Sequence, residues 1–579
     1  MPIEPMLTEE TPTNALVARV LAEAGIEMVF GISGGHTGRV VSGLSQVQNS
    51  VRTILVREES LAGVMAETYG RLTRRPGVML GQGPWVLGNG LIGTIEAHLS
   101  SSPMLLLTDF SDAPRFSLHA PYQQGTGDWG SWDARRAFGG VTKHVVQAHD
   151  PVAAVQATQL AIKHALAGQP GPVAVLYSHD SLAGTVAPGS QPALYATRHY
   201  LPPLPPPAAT AAVEAAADAI LAARLPVLIA GNGVRIAQAY EPVRRLAEAA
   251  GLPVATTAAG KGVFAETHSL ALGVFGTFGT AAANACIAEA DLVLVVGSKL
   301  SPTDTAWENR ALLDPTRQSF VQIDIEPRNA AWNYPAEHLL VGDAAVVIDQ
   351  LAAATQGRGR DRRAEAERRV LGHRQSHGYF NGRAYFADDV PILPQRLIGE
   401  LQRGLPDNAI VTCDAGENRI MMTHFYQTRR AEGFLQAAGS GPMGFAIPAA
   451  LGAKLVHPDR PVVAVCGDGG FAMTMNGLMT AIEHDIPIVV VVFNNNALGW
   501  VLHSSGAFAA EFGDFDHAAI ARAIGCRGAR IEDPAAIAPA LADALATRTA
   551  TVLDVRTSLA TSFADITSQL AKDASPRRR

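Results

Sequence analysis

The sequence predicts an α/β protein of three doubly wound domains, each built on a parallel sheet. Three observations carry this. Short apolar, β-branched runs alternate with helical stretches along almost the whole chain, as parallel sheets require. The alternation breaks twice, at the proline-rich stretch 201–207 and at a polar, arginine-rich stretch from Gln356 to Asp388. Several runs also end in glycine followed by Asp or Asn, residue types suited to the ligand-binding edge of such a sheet.

In the first block, residues 1–187, the strands are Met28–Ile32, Thr53–Arg57, Gly77–Gly81, Met104–Thr108 and Val173–Tyr177. Residues 188–207 form a linker that its prolines hold stiff and extended. The second block, 208–353, opens with Pro226–Gly233, a strand running into a glycine turn. Pro253–Thr257, Asp291–Gly297 and Phe320–Ile325 follow. Residues 354–389 read as a second linker, and the arginines at 358–363 predict a solvated helix there. The third block, 390–579, holds strands at Ala409–Cys413, Pro461–Cys466, Pro487–Phe493 and Val552–Val555.

A length of 579 residues fits about three domains. Hydrophobic residues make up 47% of the chain, enough for large cores, and charged residues only 17%, which points to surface lost in domain or subunit contacts. The net charge of −7 gives no basic field for nucleic acid, and Arg577–Arg579 is too short to supply one. No apolar run has membrane-spanning length. The N-terminus lacks the basic-then-apolar order of a signal peptide. Cys286, Cys413, Cys466 and Cys526 are far apart, a reduced pattern that predicts a cytoplasmic protein without disulfides or zinc.

The stretch that carries most chemistry is Gly467-Asp468-Gly469-Gly470 through Asn494-Asn495-Asn496. A buried strand precedes the first motif, a helix follows it, and a second buried strand ends in the asparagines. Asp468 and Asn495 therefore stand at the carboxyl ends of neighbouring parallel strands. A carboxylate and an amide oxygen are hard ligands suited to Mg²⁺ or Ca²⁺. Gly469 and Gly470 let backbone approach a phosphate at a helix N-terminus. The bland alternative is a tight βα turn.

This order of motifs resembles the thiamin diphosphate (ThDP) signature of the acetolactate synthase-like enzymes. The resemblance covers nearly the whole chain and implies pyrimidine-binding, central and diphosphate-binding domains in that order. It makes Asp468, Asn495 and the Ala497 carbonyl the Mg²⁺ ligands. Gly467, Gly469, Gly470, Leu498 and Gly499 would border the diphosphate. Asp414–Asn418 matches a loop that reaches the diphosphate in relatives, so Glu417 and Asn418 join the cofactor residues. A glutamate there is a departure, because an anion beside a diphosphate is unfavourable; Glu417 points away, acts through its backbone, or is a solvated loop acid. Met443, with Gly441 before it, matches the bulky residue that bends the cofactor, against the alternative of a core methionine.

Activation of the cofactor requires one carboxyl group. Glu58 and Glu59 stand where a strand passes into a helix, and the stretch through Arg71 resembles the family's glutamate segment. The resemblance makes Glu59 the activating acid, the alternative being a surface pair of acids. On the substrate side, His36 is a candidate proton shuttle. Asn89 matches a family asparagine in an altered segment. In Tyr122-Gln123-Gln124, Gln123 matches a glutamine that faces the thiazolium. Trp85 and Trp500 are candidates to line the pocket, against ordinary packing.

The family resemblance implies a C–C lyase or carboligase for a 2-oxo acid or 1,2-diketone, working through a C2 carbanion and an enamine. It further implies a homodimer or homotetramer, with sites between the first domain of one subunit and the third of another. Acetolactate synthases carry an acceptor arginine where Thr303 stands, and a tryptophan where Ser504 stands; both are missing here. Gly35-His36-Thr37, the Trp85–Asn89 segment and Gly262–His268 resemble cyclohexane-1,2-dione hydrolase in part. Gly273–Gly279 resembles the segment with which several relatives hold FAD, against a central domain whose cleft is empty. Two rivals stand outside this reading. Gly231-Asn-Gly233 begins like a nicotinamide-dinucleotide fingerprint, although Ile236 replaces its third glycine. A non-catalytic scaffold is the other, and intact Glu59, Asp468 and Asn495 argue against it.

Overall fold

The computed structural model describes residues 3–111, 123–201, 205–359 and 361–574. Tyr122, the linker residues Pro202–Leu204 and the arginine tail lie outside them. Contacts divide the chain into two compact units: Met1–Leu204 with Leu451–Val456 and Met479–His484, and the remainder.

The first unit holds a six-stranded, wholly parallel sheet. Its spatial order is Arg52–Leu55, Met28–Gly31, Gly77–Leu80, Met104–Ser111, Pro172–Ser178, His144–Ala148. Helices cover both faces, so the interior strands are buried: Gly77–Leu80 and Pro172–Ser178 are buried at every position. The helix Glu59–Thr73 is buried along almost its whole length. Its last turn carries the fully buried Arg71, whose Nε donates to Glu67 Oε1 at 2.7 Å and whose Nη2 donates to Glu96 Oε1 at 2.9 Å. Ser102 Oγ adds a bond to Glu67 at 2.7 Å. Burial raises the Glu67 carboxyl above its ordinary range, and the Arg71 guanidinium opposes that rise.

The second unit carries two more six-stranded parallel sheets. One runs Ala271–Val274, Val254–Thr256, Pro226–Ala230, Leu292–Val296, Ser319–Asp324, His338–Val341. The other runs Phe434–Gln436, Ile410–Cys413, Val462–Gly467, Val489–Asn494, Thr551–Arg556, Arg527–Ile531. Numbered within each sheet, the first and last share the order 2-1-3-4-6-5, whereas the middle one reads 3-2-1-4-5-6. All are doubly wound, with the strand order reversing beside strand 1.

Buried polar groups join the two sheets of this unit. Arg235 Nη2 donates to the carbonyls of Lys261 at 2.6 Å and Phe434 at 2.9 Å. Lys261 Nζ meets Glu266 at 2.7 Å, and Glu266 also accepts from the Thr428 amide at 2.7 Å. The segment read as a linker at 354–389 contains the helix Arg363–His377. It is not merely solvated, because Arg369 and Arg374 donate to the carbonyls of Pro226 and Ala271 and pin it to two strands of the first of these sheets. All four cysteines are free and buried. Among the described residues, no helix is long and apolar enough to cross a membrane.

Replacing Arg71 by Met should cost about 3–5 kcal/mol, because it leaves Glu67 and Glu96 buried without their cation. Urea unfolding of the two proteins measures this. A loss below about 1 kcal/mol would mean that the carboxylates are neutralised without Arg71.

Candidate active site

The third sheet places its chemistry at the switch point. Asp414 follows strand Ile410–Cys413, Asp468 follows Val462–Gly467, and Asn495 follows Val489–Asn494. These strands are neighbours, so their carboxyl ends open onto one crevice. A cleft of about 300 Å³ lies there. Of the residues expected to hold a diphosphate and metal in this part of the chain, all line it: Glu417, Asn418, Gly441, Met443, Gly467–Gly470, Asn495 and Ala497–Gly499.

One backbone amide draws the metal candidates together. The Ala497 N–H faces Asp468 Oδ2 at 3.2 Å and Asn495 Oδ1 at 3.1 Å. Asp468 Oδ1 accepts from the Gly469 amide at 2.8 Å. Burial raises the Asp468 carboxyl above its ordinary range. A divalent cation would oppose that rise, and the two oxygens are the hard donors such a cation takes.

The glycines of the wall have a steric reason. A Cβ on Gly470 would stand 1.9 Å from Asp414 Oδ2, and one on Gly469 would stand 2.8 Å from Met443 Cε. Asp414 is itself a fixed post: its carboxylate accepts from the amides of Ala415, Gly444 and Phe445 at 2.9–3.0 Å. It thereby holds the Met443 loop against the glycine turn. Burial pushes its pKa up to about 6 despite those three amides. The oxygen pair, the glycine wall and Met443 over Gly469 fit a metal-bound diphosphate ester with a ring system beside it.

Glu417 does not end in solvent. Its carboxylate meets His503 Nδ1 at 2.9 and 3.0 Å and accepts from the Phe563 amide at 2.7 Å. His503 was not singled out in the sequence. Trp500 stacks on Phe563 at 4.0 Å and also lines the cleft. Ser504 closes the short helix Gly499–Ser505, with its Oγ bonded to Val501 O.

The first unit gathers its own candidates at the carboxyl edge of its sheet. Glu59, 5% exposed, begins the helix Glu59–Thr73, and its Oε2 accepts from Asn89 Nδ2 at 3.1 Å. Gln82 Nε2 donates to Gln123 Oε1 at 2.9 Å. Asp109 accepts from the amides of His36 at 3.2 Å and Gly83 at 2.9 Å, and burial raises its carboxyl. The His36 ring lies edge-on to His179, with centroids 4.7 Å apart. Asp109 and His179 were also missed; their strand-end positions were the available signal. Trp85 is half exposed at the start of its short helix.

The glycines of the dinucleotide-like motif are occupied by packing. A Cβ on Gly231 would meet the Gly297 carbonyl at 2.3 Å, and one on Gly233 would meet Gly297 Cα at 2.6 Å. In the segment 273–279, Gly276 exchanges both its backbone groups with the Asn284 side chain at 2.7 and 3.0 Å. The carbonyl of Thr303 accepts from Thr277.

Three thiamine pyrophosphate enzyme models match the chain: the N-terminal TPP binding domain over residues 12–127, the central domain over 213–351, and the C-terminal TPP binding domain over 414–555. The chain is 31% identical over 555 residues to the probable acetolactate synthase large subunit of Methanocaldococcus jannaschii, covering 93% of this chain and 90% of that protein. It is 32% identical over 507 residues to the probable 2-ketoarginine decarboxylase of Pseudomonas aeruginosa, covering 86% and 85%. Identity to the acetolactate synthase isozyme 3 large subunit of Escherichia coli is 29% over 488 residues, covering 84% and 82%.

Asp414 makes the cofactor-free protein pH-dependent in a defined direction. Its folded pKa of about 6 lies above the ordinary value of 3.8, so the folded state favours the acid form. The resulting stability is whole below about pH 4 and is lost as the pH rises through about 6, amounting to about 3 kcal/mol. Denaturant titrations at pH 4.5 and 7 should show a loss about 2 kcal/mol larger in the wild type than in Asp414→Asn. Equal pH dependence in both proteins would contradict the assignment.

Proposed function

Because the chain belongs to the thiamine pyrophosphate enzyme family, we propose that it is a ThDP- and Mg²⁺-dependent C–C lyase or carboligase acting on a 2-oxo acid or a 1,2-diketone. The observation that carries this reading is the convergence of Asp468 and Asn495 on the Ala497 amide, inside a glycine-walled cleft at the switch point. A nicotinamide-dependent oxidoreductase is not favoured: the glycines of its fingerprint are spent on packing, and the family is a different one.

In this reading Asp468, Asn495 and the Ala497 carbonyl would hold Mg²⁺ beside the diphosphate. Gly467, Gly469, Gly470, Leu498 and Gly499 leave room for the phosphates, and Asn418 and Gly441 border them. Met443, whose methyl lies close to Gly469, would support the ring system. When bound, ThDP supplies a carbon nucleophile and an electron sink for breaking and making C–C bonds. Glu59 would present its carboxyl group to the aminopyrimidine of a cofactor held by another subunit, and the Asn89 amide fixes that carboxyl's orientation. His36 and Gln123 attend the substrate carbonyl, His36 moving protons and Gln123 being held in place by Gln82.

The relatives frame the substrate class. One is named for decarboxylating a 2-keto acid, and others for making acetolactate. Thr303 and Ser504 stand where acetolactate synthases carry acceptor residues, which favours a different acceptor or none. The Gly-His-Thr at 35–37 keeps a cyclic 1,2-diketone within the class. FAD enters no step of this proposal. A homodimer or homotetramer in the cytoplasm is the proposed setting, with the buried free thiols supporting a reducing compartment.

Purified protein with ThDP and Mg²⁺ should consume a 2-oxo acid such as pyruvate, releasing CO₂ with or without acetoin or acetolactate. Glu59→Gln should lower kcat by at least about 100-fold while ThDP remains bound, as expected for loss of a group acting in proton transfer. Consumption of cyclohexane-1,2-dione but not pyruvate would select the diketone branch. Failure of the wild type to bind ThDP would sink the proposal.

A further inference from the structure

We propose that His503 is a cofactor-affinity residue: it cancels the charge of Glu417 in the wall of the diphosphate cleft and fastens the segment Leu559–Phe563 beside it. The inference rests on the ThDP reading above and answers why a glutamate is tolerated in a loop that would border a diphosphate.

The hydrogen bonds constrain the charge of the pair. His503 Nε2 lies 3.1 Å from the Leu559 carbonyl, which only accepts, so Nε2 carries a proton. Nδ1 faces both oxygens of Glu417 at 2.9 and 3.0 Å. A lone pair facing a carboxylate would repel it, so one further proton lies between them. Whether that proton sits on the ring or on the carboxyl group, the pair carries no net charge. The Phe563 amide, donating to Glu417 Oε1 at 2.7 Å, holds the carboxyl group from the other side.

Space around the pair is reserved for it. A Cβ on Gly499 would stand 2.6 Å from Glu417 Oε2 and 3.3 Å from Asn495 Nδ2, so the glycine admits the carboxylate next to a metal-ligand candidate. Both side chains are mostly buried, at 16% and 9% exposed for His503 and Glu417. The contact is therefore weakly screened by water. Through Leu559 and Phe563 the pair also tethers a C-terminal segment whose Ser558 and Thr561 line the cleft. The stack of Trp500 on Phe563 continues the same tether.

Removing the imidazole would leave a carboxylate facing a diphosphate, whereas removing both charges would not. His503→Leu should weaken ThDP binding at saturating Mg²⁺ at least about tenfold, read from quenching of Trp500 fluorescence or calorimetry. Glu417→Gln should stay within about threefold of wild type. The double variant Glu417→Gln/His503→Leu should recover to within about threefold. Unchanged affinity in His503→Leu, or a double variant as weak as that single one, would overturn the charge role. The tether has its own readout on cofactor-free protein: His503→Leu should speed chymotryptic cleavage at Phe563 severalfold, and an unchanged rate would refute it. If the wild type bound no ThDP, the cofactor reading would fail and the charge role with it, leaving the proteolysis rate to decide the tether.

Discussion

Two side-chain oxygens can meet over one amide only if their strands are parallel, adjacent and in register. Asp468 and Asn495 satisfy this because Val462–Gly467 and Val489–Asn494 pair directly, with Gly467 opposite Phe493. The rest of the third sheet follows from protecting that pairing. Both strands are buried on both faces, so helices must cover each side and the crossovers must be long. The order reverses between Ile410–Cys413 and Val462–Gly467, which opens the crevice where the oxygens point. Asp414 then spends its carboxylate on three amides, and the Met443 loop closes one wall.

Burying these acids is costly unless partners are fixed. The protein resolves that cost differently at each place. Glu67 and Glu96 share the guanidinium of Arg71 in a dry interior, which is purely structural. Asp414 has only amides, and its raised pKa measures how incompletely they replace water. Asp468 has two amides and a hard-donor neighbour, an arrangement best completed by a cation. Glu417 has an imidazole. Five buried acids of similar chemistry thus have four fates, set by what stands within hydrogen-bonding distance of each.

Much of this was legible in the sequence, for a definable reason. Interior strands of parallel sheets are continuous apolar runs, and each run recognised in the sequence is a strand of the structure. In the three six-stranded sheets the strands passed over are His144–Ala148, Ala271–Val274, His338–Val341, Phe434–Gln436 and Arg527–Ile531, and every one lies at a sheet edge. Four of the five are partly solvated or very short: Arg527 and His144 are exposed, and Phe434–Gln436 has three residues, whereas Ala271–Val274 is buried at all four positions. The cleft was legible because Gly-Asp-Gly and Asn-Asn are local in sequence. His503, His179 and Asp109 were not, because their partners lie 86, 143 and 73 positions away.

The two sets of site residues differ in how the fold holds them, and this bears on specificity. Asp468 and Asn495 sit on or within one residue of strand ends and inherit the rigidity of the sheet. Gln123 stands in a loop, in left-handed backbone at φ +61°, and His36 stands in a single 3₁₀ turn. Their positions depend on side-chain contacts, Gln82 for one and His179 for the other. Loops so held can change their contents without disturbing a sheet. In the proposed reading, the cofactor's demands are therefore written into the strands, and the substrate's into pairs of side chains that only the folded structure brings together.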